Sequence, residues 1–223
     1  MKLAALYDVH GMPWALEAVL RELDDEGVRL VLYGGDLLDG PFPDRAYELA
    51  RSVEFSFVRG NCERVPSDWD RKLLSEDDLW FLAQQPLTQS FDGVLYCHAA
   101  PDDDMPMTTV FTPDEVIAER FGGCEERTVV IGHTHHQFDR RVGDLRVVNA
   151  GSVGMPYEGE VAAFWTLVVD GEPQFRKTPF DIEQAIAEIE SSGWPQAQAF
   201  IAENLRTAVT REQAIAVFEG HGE

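Results

Sequence analysis

Seven residues able to hold a metal ion recur in short motifs along this chain. Asp8 and His10 lie in Asp8-Val9-His10-Gly11, Asp36 follows Gly34-Gly35, and Asn61 stands in Gly60-Asn61-Cys62-Glu63. His98 closes an apolar run, and Gly132-His133-Thr134-His135 closes another. Carboxylate, amide and imidazole donors in this order are what a two-metal hydrolase needs. Five of the seven come directly after a run of β-branched and apolar residues, where a parallel sheet ends and its loops begin.

Taken singly, most of these residues have an ordinary structural reading. Asp36 alone is a turn residue after two glycines, Asn61 a left-handed turn after Gly60, and His98 a buried histidine with satisfied nitrogens. Gly-His-x-His after Thr128-Val129-Val130-Ile131 is more specific, because an imidazole pair at the end of a buried strand needs a partner to offset its desolvation. The joint occurrence decides for metal, and it uses four of the six histidines.

The elements that must position these groups alternate. Lys2 to Tyr7 reads as a strand, Pro13 to Glu26 as a helix, Arg29 to Tyr33 as a strand, Asp44 to Ser52 as a helix and Glu54 to Val58 as a strand. That βαβαβ pattern implies a parallel sheet with right-handed crossovers. Ser75, with Asp78 three residues on, starts a helix that Pro86 closes. The pattern then changes to hairpins: Leu87–Phe91 and Val94–His98 around Asp92-Gly93, Phe138–Val142 and Leu145–Val148 around Gly143-Asp144, and Val161–Val169 and Gln174–Thr178 around Asp170-Gly171. A helix from Thr112 to Phe121 and a strand from Thr128 to Ile131 lie between them. Beyond Pro179 the chain reads as two or three helical pieces broken at Gly193-Trp194-Pro195. We expect two sheets packed face to face with helices outside. Residues 1–180 would form the catalytic domain, and 181–223 a helical appendage packed on it.

At 223 residues, with 44% hydrophobic and 10% aromatic content, the chain can bury a substantial core. No stretch approaches the ~20 apolar residues of a membrane span, and the first apolar run is too short for a signal peptide, so we expect a cytoplasmic protein. Cys62, Cys97 and Cys124 match neither a zinc knuckle nor a redox pair, and read as reduced thiols. A net charge of −22 repels polyanions and removes the counterion-release term, which excludes a long nucleic acid as partner. A small anionic substrate remains compatible, because divalent ions invert the local field. Monomer and homo-oligomer are both open.

The five motifs, in order from Asp8 to His135, resemble those of the calcineurin-like metallophosphoesterase superfamily. The resemblance extends through Asn149-Ala150-Gly151-Ser152-Val153-Gly154, a turn like that of its small bacterial and archaeal members, and covers about four fifths of the chain. It implies an α/β, four-layer αββα fold. One metal would be held by Asp8, His10, Asp36 and His135, and a second by Asp36, Asn61, His98 and His133, with Asp36 bridging. Two divalent ions ~3.5–4 Å apart share a hydroxide, lower its pKa and aim it at phosphorus. Mn²⁺ is the favoured ion, with Fe, Co, Zn, Ni or Mg as others the donor set accepts. Asp36, Asn61 and His98 then carry the catalytic centre. Arg59 and Arg64, flanking the Asn61 loop, would pair with phosphate oxygens or be solvated surface groups, and Glu63 would orient the loop.

Two departures bear on the substrate. Protein phosphatases of the superfamily have histidine after the metal-binding asparagine, where this chain has Cys62, and the arginine of their Asp-x-x-Asp-Arg-Gly stretch is absent from Asp36-Leu37-Leu38-Asp39-Gly40. A thiol is a weak general acid for poor leaving groups. We therefore expect hydrolysis of phosphodiester or phosphoanhydride bonds in small substrates, nucleotides included. The alternatives are a phosphomonoesterase or protein phosphatase, and a non-enzymatic scaffold of the kind the superfamily's retromer subunit provides.

Overall fold

The computed structural model describes residues 1–220. In chain order the elements are β1 (Lys2–Leu6), α1 (Pro13–Asp25), β2 (Leu30–Tyr33), α2 (Pro43–Ala50), β3 (Phe55–Phe57), α3 (Asn61–Arg64), α4 (Asp68–Leu73) and α5 (Glu76–Ala83). There follow β4 (Thr88–Phe91), β5 (Val94–Cys97), α6 (Asp114–Phe121), β6 (Thr128–Ile131), β7 (Phe138–Val142), β8 (Leu145–Asn149), β9 (Ala163–Val169) and β10 (Glu172–Thr178). Helices α7 (Ile182–Ser191) and α8 (Ala197–Phe200), a π-helical turn Ile201–Arg206 and α9 (Arg211–Phe218) complete the described residues.

Ten strands form two mixed five-stranded sheets, in the orders β10-β9-β1-β2-β3 and β4-β5-β6-β8-β7. Strand β1 shows why the sheets stack. Its side chains alternate between two apolar environments, so Ala4 and Leu6 join the core under the helices while Leu3, Ala5 and Tyr7 join the core between the sheets. A strand buried on both faces reads as a continuous apolar run, as this one does. Tyr96, Val130 and Val148 of the second sheet close the inter-sheet core, and the outer face of that sheet packs Val129, Ile131 and Val147 on Ile117 and Phe121 of α6. The layers are helices, sheet, sheet and helix, which is the αββα sandwich.

The hairpin turns follow their sequences. Asp92-Gly93 and Asp170-Gly171 both have positive φ at both central residues, 53° and 75° in the first and 50° and 80° in the second. This is the type I′ geometry that matches strand twist, and Asp-Gly supplies it at little cost. Helix α5 is capped as expected, with Ser75 Oγ accepting from the Asp78 amide. Helices α3 and α4 were not anticipated from the sequence. They are four and six residues long, too short to show an apolar period. The start of α4 is nonetheless signalled by Ser67 and Asp70, which cap each other reciprocally.

The tail packs on the first sheet's helical face. Ala185, Ile186 and Ile189 of α7, with Trp194, Phe200, Ile201 and Leu205, belong to the same buried cluster as Trp14, Leu16 and Val19 of α1. Trp14 Nε1 donates to Glu188 Oε1 at 3.1 Å, and Glu188 also pairs with Arg45. No helix among the described residues is long and apolar enough to cross a membrane.

Candidate metal centre

Strands β1, β2, β5 and β6 all end at one edge of the sandwich, and their following loops meet there. The backbone knits these loops directly: Asp8 N donates to Gly35 O at 3.0 Å, His10 N to Asp36 O at 3.0 Å, and Gly132 N to His98 O at 2.9 Å. Asp8, His10, Asp36, His133 and His135 adopt left-handed backbone conformations, with φ between 46° and 67°. Non-glycine residues rarely do so, and a cluster of them is strain held by surrounding structure at a functional site. Close approach also demands glycine. At Gly35, φ is +98° and a Cβ would lie 2.6 Å from His98 Nδ1.

All seven sequence-predicted metal residues converge here. Asp8, His10 and His135 form one cluster of ligand atoms, and Asp36, His98 and His133 a second. Asp36 Oδ2 lies 4.0 Å from His10 Nε2 and 3.4 Å from His98 Nε2, so it faces both. Asn61 Oδ1 lies 3.2 Å from His98 Nε2. The clusters are almost wholly buried, apart from His133 and Asn61, which are half-buried at the mouth.

The histidine tautomers decide what the site can hold. His10 Nδ1 faces Asp39 O at 3.3 Å, His98 Nδ1 faces Gly34 O at 3.0 Å, His133 Nε2 faces Met105 O at 3.0 Å and His135 Nδ1 faces Met155 O at 2.8 Å. A carbonyl only accepts, so each of these ring nitrogens donates and the other nitrogen of each neutral ring is left as a lone-pair acceptor. Those inner nitrogens face one another: His10 Nε2 and His135 Nε2 at 3.2 Å, and His98 Nε2 and His133 Nδ1 at 3.1 Å. Asp8 Oδ1, buried and without a hydrogen bond among the described residues, is 3.3 Å from His135 Nε2. Ring nitrogens and carboxylates gathered this closely in a buried site suit a bound cation, and carbonyl-anchored imidazoles are the usual outer support of metal ligands. The donor set therefore fits divalent metal.

The sequence also matches a known protein family. The family model described as the calcineurin-like phosphoesterase superfamily domain matches residues 1–172. The chain belongs to that superfamily. An uncharacterised protein of Methanocaldococcus jannaschii is 24% identical over 233 residues, covering 87% of this chain and 94% of that one. Among solved structures, a metallophosphoesterase from Sphaerobacter thermophilus superposes with a TM-score of 0.76 at 22% identity, covering 88% of this chain and 96% of the other. A hypothetical protein from Pyrococcus horikoshii OT3 superposes at 0.72 with 20% identity, covering 91% and 98%. Both share the fold.

In this superfamily member the protonation states follow from burial and charge. Burial works against a charged His98, but Asp36 and Asp8 beside it raise its pKa to about 10 in the ion-free protein. Burial likewise opposes the Asp36 carboxylate, yet His98 and His10 hold it well below the ordinary carboxylate range. Desolvation lowers His10 and His133, each further depressed by a neighbouring imidazole.

Several residues support the ligand loops from behind. Glu63 is fully buried and accepts from the amides of Asp36, Leu37 and Gly60 at 2.8–2.9 Å, with Leu38 N at 3.3 Å. It ties the Asp36 loop to the Asn61 loop. Ser152 Oγ donates to Asp8 O at 2.7 Å, and Asn149 Nδ2 to Gly132 O at 2.6 Å, so the glycine-rich turn buttresses two ligand loops. Arg64 Nε makes a forked pair with Asp104 at 2.9 and 3.1 Å, while Arg59 donates to Ala83 O and stands 3.7 Å from the same carboxylate. Both guanidiniums are thus turned to Asp104, a residue that no local sequence signal marked. Cys62 is buried, its amide donates to Asp36 Oδ1 at 2.9 Å, and burial with the nearby Asp36 charge pushes its thiol far up. His136 Nδ1 donates to Thr134 O, and burial lowers its pKa to about 4, so it is a neutral core ring behind the ligand loop.

Proposed function

We propose that this protein is a metal-dependent phosphoric ester hydrolase that cleaves phosphodiester or phosphoanhydride bonds in small soluble substrates. The observation that carries the reading is the two opposed imidazole pairs, each ring with its outer nitrogen bonded to a backbone carbonyl. Asp8, His10, Asp36 and His135 would hold one divalent ion, and Asp36, Asn61, His98 and His133 the other. Mn²⁺ suits this mixed oxygen and nitrogen set. Bound there, the ions supply a nucleophile at neutral pH and neutralise phosphoryl oxygens.

The chain's own groups set the rest. The imidazoles are oriented before substrate arrives, because their outer nitrogens are already bonded, and preorganised charge is what makes such sites effective. Asn61 and His133 are the half-buried members of the set, so the cluster is open to substrate on their side. Cys62 supports the diester preference: with its thiol buried and its pKa raised, it is unsuited to protonate a poor leaving group, so substrates with good leaving groups are favoured. Three free cysteines suit a reducing, cytoplasmic setting. A screen of phosphate monoesters, diesters and anhydrides with Mn²⁺ in excess, with metal content measured alongside, tests the proposal. Turnover of diesters above alkyl monoesters is expected. Faster turnover of alkyl monoesters would overturn the diester assignment, and no turnover of any ester would overturn the activity.

A further inference from the structure

One short segment makes three contacts with the candidate ligand His135. Met155 O accepts from His135 Nδ1 at 2.8 Å, Tyr157 N donates to His135 O at 2.9 Å, and the Tyr157 ring stacks on the imidazole with centroids 4.9 Å apart and planes 25° apart. That segment is in turn held by the C-terminal tail. Phe218 of α9 packs on Tyr157 at 6.2 Å between centroids, and Gly159 N donates to Val209 O at 2.9 Å. Glu158 joins the two parts: Oε1 accepts from the amide of Gln137, two residues past His135, while Oε2 pairs with an Arg211 guanidinium nitrogen at 2.5 Å. The Glu158 side chain is only 7% exposed, so without Arg211 a buried carboxylate would lose its counter-charge. Val209, Arg211 and Phe218 all lie beyond residues 1–172, which the family domain matches.

These contacts favour an ion-bound His135 over a free one. An imidazole that gives a lone pair to a cation gains positive character, and an aromatic face attracts it more strongly than it attracts the neutral ring. A ring fixed in advance also avoids the entropy cost of being ordered when the ion arrives. Outer groups that orient a ligand in this way are commonly worth about 10–100-fold in metal affinity.

We infer that Tyr157 is a positioning residue for His135, and that α9 holds it in place through Phe218 and the Arg211–Glu158 pair, so that the C-terminal tail sets the metal affinity of the centre. The inference rests on the reading of His135 as a metal ligand. Mn²⁺ is titrated by calorimetry into the full chain freed of divalent ions, with thermal melts showing that each variant is folded. Tyr157→Leu should weaken Mn²⁺ about tenfold, the low end for an outer support, whereas Tyr157→Phe keeps the ring and should keep the affinity. Arg211→Ala, a change on the surface, should weaken Mn²⁺ in the same direction, and Arg211→Lys should restore it. In a His135→Ala background Tyr157→Leu should cost nothing further, because its effect passes through His135; a merely structural tyrosine would cost the same in both backgrounds. Wild-type affinity in folded Tyr157→Leu and Arg211→Ala, or an undiminished Tyr157→Leu effect without His135, would overturn the inference and leave the metal reading standing. A wild-type chain that binds no Mn²⁺ sinks the metal reading, and this inference with it.

Discussion

Glu63 Oε2 accepts from the backbone amide of Asp36 at 2.9 Å, so the residue that faces both clusters of candidate ligands is held by a carboxylate from the neighbouring loop. The same oxygen takes the Gly60 amide, and Oε1 takes those of Leu37 and Leu38. Removing this acceptor strands several buried donors at once, at about 1–3 kcal/mol each. Glu63→Ala should therefore cost at least about 3 kcal/mol in urea unfolding of the ion-free protein, and it should lower metal affinity at both positions. A loss under 1 kcal/mol would show that the loops hold each other without it.

Asp36 touches both clusters, and its replacement removes one negative charge from a site with few of them. Asp36→Asn should lose turnover and bind less metal at both positions while keeping its circular dichroism spectrum, because asparagine has the same shape. Near-normal activity with metal in excess would contradict a two-ion site.

His135 and His136 are neighbours with opposite surroundings. His135→Ala should lose an ion, whereas His136→Ala should keep the full metal content and lose stability instead. A buried ring of this size, packed on Phe138, is worth a few kcal/mol, about the scale of a large-to-small core change. Metal analysis beside a thermal melt separates the two. Metal lost from the His136 variant rather than the His135 one would prove the ligand register wrong.

The elevated His98 pKa of about 10 makes ion binding depend on pH. At pH 7 the ion-free protein holds a proton on His98, and that proton must leave before Nε2 can accept a metal. Affinity should then fall as pH is lowered, by up to about tenfold per pH unit for a single released proton. Calorimetry in two buffers of different ionisation enthalpy should show about one proton released at pH 7 when the position that includes His98 is filled. A binding heat independent of buffer would refute this.

Truncation after Pro179 should abolish cooperative melting rather than merely trim activity. It removes Ile186, Ile189, Trp194, Phe200, Ile201 and Leu205 from the principal core. At about 1.5–3 kcal/mol per large side chain, the loss is comparable to the net stability of a whole domain. A truncated chain with an unchanged melting temperature would show instead that the tail is an independent appendage.

Much of this was legible in one dimension. Apolar runs such as Lys2–Leu6 and Thr128–Ile131, and the Asp-Gly pairs of two hairpins, depend on side-chain alternation and local turn geometry, which act over a few residues. They place strands, turns and the loops that carry ligands, and the family resemblance rests on those loops. Helices α3 and α4 were hidden because pieces this short have no period to read.

The sequence by itself determined that Asp8, His10, Asp36, Asn61, His98, His133 and His135 stand at or a few residues beyond strand ends, since residue type and spacing are local properties. Only the tertiary structure decided that Glu63 locks two loops, that Asp104 draws in Arg59 and Arg64, and which nitrogen of each histidine faces inward. Those choices depend on carbonyls supplied by distant segments, Gly34 for His98, Met105 for His133 and Met155 for His135. A hydrogen bond forms wherever packing brings donor to acceptor, so a partner tens of residues away leaves no mark beside the residue it orients.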